Sequence, residues 1–175
     1  MKRILDILLL ECAVIGAMLF IGSCSKPEHV DVLVVGGGAS GISAGIQSAR
    51  MGVHTMVVEE TPWVGGMLTS AGVSCIDGNY RLQSGIFGEF ADSLAARYGG
   101  WEALKTGWVS NINFEPHVGQ EILSNMAASC GEFLDLRRET FMSSVSPEGE
   151  DDWKVVLRGP TGRKYVVIAD VLIDG

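Results

Sequence analysis

The sequence carries only four cysteines in 175 residues and no C-x-x-C pair. Zinc ribbons and iron–sulfur sites need thiolates at short spacing, so neither can be assembled from this chain. Bases are scarce as well: 13 lysines and arginines stand against 21 acids, for a formal net charge of −8. The one basic pair, Arg137-Arg138, reads as a strand end. Nucleic-acid binding requires basic stripes and is not expected. The apolar run at 13–22 falls short of the ~20 residues of a comfortable membrane span. There is no internal repeat and no low-complexity tract. What remains is one domain's length, with 47% apolar residues to build a core.

The amino terminus reads as a targeting segment, to be kept out of the fold. Lys2 and Arg3 precede the apolar run, and "IGSC" at 21–24 resembles a bacterial lipobox with Cys24 as the lipidated residue. Residues 1–23 are then a lipoprotein signal peptide, 24–29 a tether and 30–175 the domain. The expected location is the bacterial cell envelope, anchored to the membrane through lipid. Asp6 and Glu11 are unusual in such a segment; the alternative is a poor membrane anchor or a different start.

The most informative stretch is "DVLVVGGGASGISAGIQSARMGVHTMVVE" at 31–59. Residues 32–35 are a wholly apolar run, as in a strand buried on both faces. Gly36, Gly38 and Gly41 follow as G-x-G-x-x-G. The first glycine permits a tight turn, the second lets backbone approach a pyrophosphate, and the third lets a helix pack close to the strand. The helix start, with Ser40, offers free N–H groups and partial positive charge to phosphates. Ile42, Ile46 and Ala49 recur at helical spacing, Gly45 keeps that face thin and Gly52 closes the helix. Residues 55–58 form a second strand, and Glu59 ends it, 18 residues beyond Gly41. Its carboxylate suits the two hydroxyls of an adenosine ribose and repels a 2′-phosphate, which disfavours NADP.

This βαβ unit resembles the amino-terminal FAD-binding segment of two-dinucleotide-binding flavoproteins. The unit opens the mature chain, its acid is a glutamate, and a second glycine pair, Gly65-Gly66, follows the second strand. The resemblance implies that this pair, with Met67, lies against the flavin side of the cofactor. Trp63 and Val64 stand where an arginine often precedes the pair. "VGGMLTSAGVS" at 64–74, "GIFGEF" at 85–90, "FEP" at 114–116 and "ADVLIDG" at 169–175 extend the likeness. On these residues the chain is similar to the FAD-dependent oxidoreductase family, including heterodisulfide-reductase-A-like proteins. That family implies a Rossmann-like FAD/NAD(P)-binding α/β fold: a parallel sheet with an antiparallel three-stranded meander as the crossover to its final strand. It also implies a small-residue turn after 174–175 and a further substrate domain, so the chain reads as the front portion of a longer enzyme.

Coarser signals fill in the rest. Residues 67–80 read as irregular, with turns at Ala71-Gly72 and Asp77-Gly78. Ile86, Phe90 and Leu94 mark a helix over 85–98 that Gly99-Gly100 ends, and 101–113 reads as a linker or short helix. Pro116 suits the first turn of another helix, with Val118, Ile122, Leu123 and Met126 buried and Gly131 at its end. Residues 133–136 read as a buried parallel strand. The expected meander is 140–145, 153–158 and 164–168, with turns at 147–152 and 159–162, before 170–174 rejoins the parallel sheet.

No residue stands out as a catalyst. His117 lies near a helix start beside Glu115; a general base is conceivable, but a surface or capping role is the commoner outcome. Glu148, Glu150, Asp151 and Asp152 lie in a turn without a metal-ligand pattern and read as a solvated acidic loop; no metal site is assigned. Trp101 and Trp108 could stack on a sugar or cap a flavin, with packing the default. Cys75 and Cys130 read as buried thiols, with a disulfide left open. The expected function is FAD-dependent oxidoreduction, by hydride transfer to or from a small organic substrate. The alternatives are an NAD-dependent dehydrogenase and a noncatalytic surface lipoprotein, either truncated and inactive or a module that binds a partner or carbohydrate.

Overall fold

The computed structural model describes residues 26–78, 83–108 and 110–175. The expected signal segment and Cys24 lie outside the described residues, as do 79–80 of the irregular stretch. Strand β1 (Glu28–Val35) leads through the glycine turn into helix α1 (Ala39–Arg50), then β2 (Thr55–Val58). The two-residue β3 (Cys75–Ile76), α2 (Gly85–Tyr98), the two-residue β4 (Ile112–Asn113) and α3 (Pro116–Ala128) follow. The chain then adds β5 (Leu134–Arg137), β6 (Phe141–Glu148), β7 (Asp152–Arg158) and β8 (Lys164–Asp174). The main sheet runs β5-β2-β1-β8-β7-β6. β5, β2, β1 and β8 pair in parallel, while β8, β7 and β6 form the antiparallel meander.

β1 and β2 form because their apolar runs can be covered on both faces: all four residues of β2 are buried. Gly41, Ile42, Gly45, Ile46 and Ala49 are the buried stripe of α1. Ile42 and Ile46 are fully buried, worth ~1.5–3 kcal/mol each relative to exposure. Gly45 sits so close to β2 that an added Cβ would overlap a methyl of Val57. The three helices share a core in which Ile42 and Ile46 join Phe90, Leu94, Val118 and Leu123. A second core joins Leu33, Met56 and Val58 to Val155, Leu157 and Val167 of the meander.

Four expectations need correction. The third meander strand and the final parallel strand are one 11-residue strand, β8. Its first half pairs with β7 as far as Ala169 and its second half pairs with β1 as far as Asp174. Asp170, expected to open a separate strand, lies where β8 leaves β7 and continues along β1. β1 starts at Glu28, so Glu28 and His29, expected in the tether, pair with Val167 and Ile168. β5 is the sheet's edge and only partly buried, so it is not a strand covered on both faces. Pro147 and Glu148, expected in a turn, belong to β6, an edge strand where a missing N–H costs nothing. The β3–β4 ladder, Cys75 opposite Asn113 and Ile76 opposite Ile112, carried no recognisable sequence signal.

Candidate functional site: the glycine turn and Glu59

At the end of β1 the backbone turns with Gly36 at φ 100°, a conformation that disfavours side chains. Gly36, Gly41 and Gly175 are pressed together. A Cβ on Gly41 would overlap the Gly36 carbonyl, and one on Gly36 would lie 2.6 Å from the Gly175 carbonyl oxygen. Gly175 is held there by donating its N–H to Val35, at 2.9 Å. Gly38 differs from all three. With φ −61° and ψ −176° it is the N-cap of α1, and a Cβ added there meets no protein atom within 4 Å. The open space that a side chain would fill is therefore at Gly38, at a helix N-terminus whose dipole and N–H groups favour an anion. Ser40 lies one residue into α1 and is exposed.

Glu59 sits beside this turn and is 7% exposed. One carboxylate oxygen accepts the Gly37 N–H at 2.7 Å and the other accepts the Thr61 N–H at 2.8 Å. A carboxylate has about four acceptor positions, so each oxygen keeps a free one for a hydroxyl donor. The acid thus fastens the glycine turn to the end of β2 while remaining able to bind a diol. The cavity in front of it, about 330 Å³, has Gly36, Gly38 and Gly175 on one side and Glu60, Thr140 and Met142 on another. Its size suits the nucleoside end of a ligand. Thr140 donates its backbone N–H to Glu59, which brings the start of the meander to the site.

The second glycine pair closes on the first motif. Gly65 donates its N–H to Gly37 at 2.8 Å and forms a bridge with Gly38. A Cβ on Gly66 would be 3.0 Å from the Gly38 Cα, and Gly65 and Gly66 both have positive φ. Gly65-Gly66 is therefore in backbone-to-backbone contact with the first glycine turn. Met67 follows in a single 3-10 turn and is 67% exposed, free to meet a ligand. A larger cavity of about 600 Å³, bordered by Cys75, Tyr98 and Glu115, shares no lining residue with this site.

The structure brings Gly36, Gly38, Gly41, Glu59, Gly65 and Gly66 together, with Ser40 and Met67 at the rim. His117 is exposed on the first turn of α3 and lines neither cavity. Cys75 and Cys130 are free thiols, and Cys130 lies near the carbonyls of Met126 and Ile46. Sequence reasoning missed the packing role of Gly175, although the Asp174-Gly175 pair at a strand end was a usable signal. It also missed Thr61, Thr140 and Met142, which no motif marks.

A diphosphate at Gly38 and a ribose at Glu59 would fit this arrangement. Residues 31–175 match the family described as FAD dependent oxidoreductase. NADH:fumarate oxidoreductase of Klebsiella pneumoniae (strain 342) is 34% identical over 67 residues, 37% of this chain and 7% of that protein. The flavoprotein/dehydrogenase from Cytophaga hutchinsonii superposes with a TM-score of 0.61 at 19% identity, covering 84% of this chain and 39% of that one. The flavin-dependent monooxygenase PieE, solved with FAD and substrate, gives 0.53 at 19% identity, covering 86% and 31%. The chain spans well under half the length of each of these relatives.

Proposed function

Because the chain belongs to the FAD-dependent oxidoreductase family, we propose that Gly36–Gly41 and Glu59 hold the adenosine diphosphate half of FAD, with Gly65, Gly66 and Met67 toward the flavin. The observation that carries this reading is the contrast at the turn: Gly36, Gly41 and Gly175 are filled by protein, while Gly38 faces open space beside an acid with free acceptor positions. The N–H groups at the start of α1 would orient the diphosphate, Ser40 adding a hydroxyl, and Glu59 would accept from the ribose hydroxyls. Bound FAD supplies two-electron redox chemistry, taking a hydride from an organic substrate or returning one. The residues of this chain bind and orient that cofactor; none is assigned a proton-transfer role. The whole protein's activity follows as an oxidoreductase acting on a small organic molecule. Purifying the full-length protein and recording its absorption tests this. A flavin spectrum, with FAD released on denaturation, is expected. A colourless protein that instead binds NAD would favour the dehydrogenase alternative.

Lys2, Arg3 and the 21–24 lipobox support a lipid anchor at Cys24 on the cell envelope. Only residues 25–27 separate Cys24 from β1, so the domain would sit close to the membrane surface. No helix among the described residues is long and apolar enough to cross a membrane. Lipid chains contribute about 0.8 kcal/mol per buried CH₂, so two or more anchor stably. Mass spectrometry of the membrane fraction should show an acylated amino-terminal Cys24, and Cys24→Ser should stay unprocessed or become soluble. Retention of Met1 on the wild-type protein would refute the anchor.

A further inference from the structure

The far end of β1 carries a second group of chemically active side chains. His29 is the second residue of β1, Asp152 opens β7, and Asp170 lies midway along β8. These strands are consecutive in the sheet, in the order β1-β8-β7. The His29 Nε2 lies 3.0 Å from an Asp170 carboxylate oxygen. One ligand-type atom from each of His29, Asp152 and Asp170 lies within 4.8 Å of the other two. From these positions we propose that the three side chains bind one divalent transition-metal ion of the zinc class, a site separate from the nucleotide turn.

The chemistry fits such an ion. Zinc accepts both imidazole nitrogen and carboxylate oxygen, and its open sites take three protein ligands with water at the fourth position. Three ligands ~2.0–2.2 Å from zinc stand about 3–3.5 Å apart; His29 and Asp170 already meet that spacing, so a modest rotation of the half-buried Asp152 closes the set. The imidazole disfavours magnesium and calcium, which prefer all-oxygen sites. Charge points the same way. Two carboxylates face one histidine on a chain of net charge −8, and the nearby Lys154 pairs with Glu148. A divalent cation neutralises the excess. The side chains of His29 and Asp170 are 57% and 50% exposed, so an ion can enter and keep water ligands. The backbone there is a paired strand with fixed register, His29 opposite Ile168 and Ala169 opposite Trp153. Val35 lies six positions beyond His29 along β1, about 20 Å at ~3.3 Å per residue, so the ion would not touch the cofactor. It would instead clip three strands together where β8 passes from β7 to β1.

The test uses the full chain, stripped with a chelator and titrated with zinc chloride by calorimetry. One ion per chain is expected, with the unfolding midpoint rising as zinc is added. His29→Ala and the near-isosteric Asp170→Asn should each weaken binding by at least ~10-fold, the loss that follows even from disturbing a ligand's outer partners. Their unfolding midpoints without zinc should stay near wild type, which separates ligand loss from misfolding. A Cys75→Ser, Cys130→Ser double variant should bind zinc as wild type does. The proposal is overturned if wild type shows no saturable zinc binding, if the His29 and Asp170 variants match it, or if zinc follows the cysteines.

Discussion

At its C-terminal end β1 runs into a turn built from backbone against backbone; at its N-terminal end it meets its neighbours through charged side chains. Around Gly36 the partners are Gly41, Gly175 and Gly65-Gly66, which meet one another through backbone, with the side chains of Glu59 and Thr69 packed beside them. Around Glu28 and His29 the contacts are Arg137 reaching Glu28 and Asp135, and His29 reaching Asp170. The difference concerns tolerance. Backbone packed on backbone cannot move without displacing a strand or helix, whereas an exposed side chain can rotate into water. The first end should respond to single substitutions with large changes in stability and the second with small ones.

Gly41→Ala is the strongest way to break this contrast. Its methyl would overlap the Gly36 carbonyl, which belongs to a turn fixed between β1 and α1. Overpacking usually costs ~1–3 kcal/mol and occasionally more; with backbone as the obstacle, at least about 3 kcal/mol is expected in a chemical-denaturation curve. A loss under 1 kcal/mol would mean that the turn is softer than its packing implies. Gly38→Val is the matched control. No protein atom lies within 4 Å of the new Cβ and φ −61° suits valine, so stability should change by less than ~1 kcal/mol. Flavin retention should nonetheless be lost, because the methyls occupy the diphosphate's approach. Undiminished yellow colour in that variant would remove Gly38 from the site.

Glu59→Gln probes the buried carboxylate that fastens the turn. The carboxylate now satisfies two backbone N–H groups, those of Gly37 and Thr61, with separate oxygens. An amide can accept from one and presents its own donor to the other. Leaving a buried N–H unpaired costs ~1–3 kcal/mol, and that loss should appear in the protein without cofactor. FAD affinity should fall in addition, since the ribose loses a charged acceptor. A variant with normal melting but weak FAD binding would show that Glu59 serves the ligand alone.

The same contrast explains what the sequence revealed. The βαβ unit was legible because its parts are local: each glycine, the helix stripe and Glu59 fall within 29 residues, at spacings set by one turn and one helix. That Glu59 also holds Gly37 and Thr61 could not be read, because carboxylate-to-backbone bonds leave no pattern. The unity of β8 was hidden because Ala169-Asp170 resembles a strand end, and only its pairing shows a strand changing partners. β3 and β4 pair through two residues each, too short for any alternation. His29, Asp152 and Asp170 lie on three strands, the first two 123 positions apart in the chain. Asp152, read in sequence as part of an acidic turn, acquires its neighbours only through the sheet.

The smallest effect belongs to an exposed pair between α1 and α2. Arg50 meets Glu89 through two hydrogen bonds of 2.7 Å each. Hydrogen bonding to the Arg50 guanidinium holds the Glu89 carboxyl below its ordinary pKa, and Glu89 in turn raises that of Arg50. A carboxyl with a lowered native pKa adds stability above its unfolded pKa and loses it as pH falls through the native value. The Glu89 contribution should therefore be present at neutral pH and fade below the ordinary glutamate range. Its size is limited by water, since the two side chains are 31% and 49% exposed. Exposed pairs contribute ~0–1 kcal/mol, and Glu89→Gln should cost at most about 0.5 kcal/mol. The difference from wild type should shrink in high salt, where charges beyond ~3 Å are screened at 1 M, and vanish in acid. Denaturation curves at two salt concentrations and two pH values measure it. A loss above 2 kcal/mol, insensitive to salt, would show that this surface contact behaves like the packed glycines and would undo the distinction between the two kinds of contact.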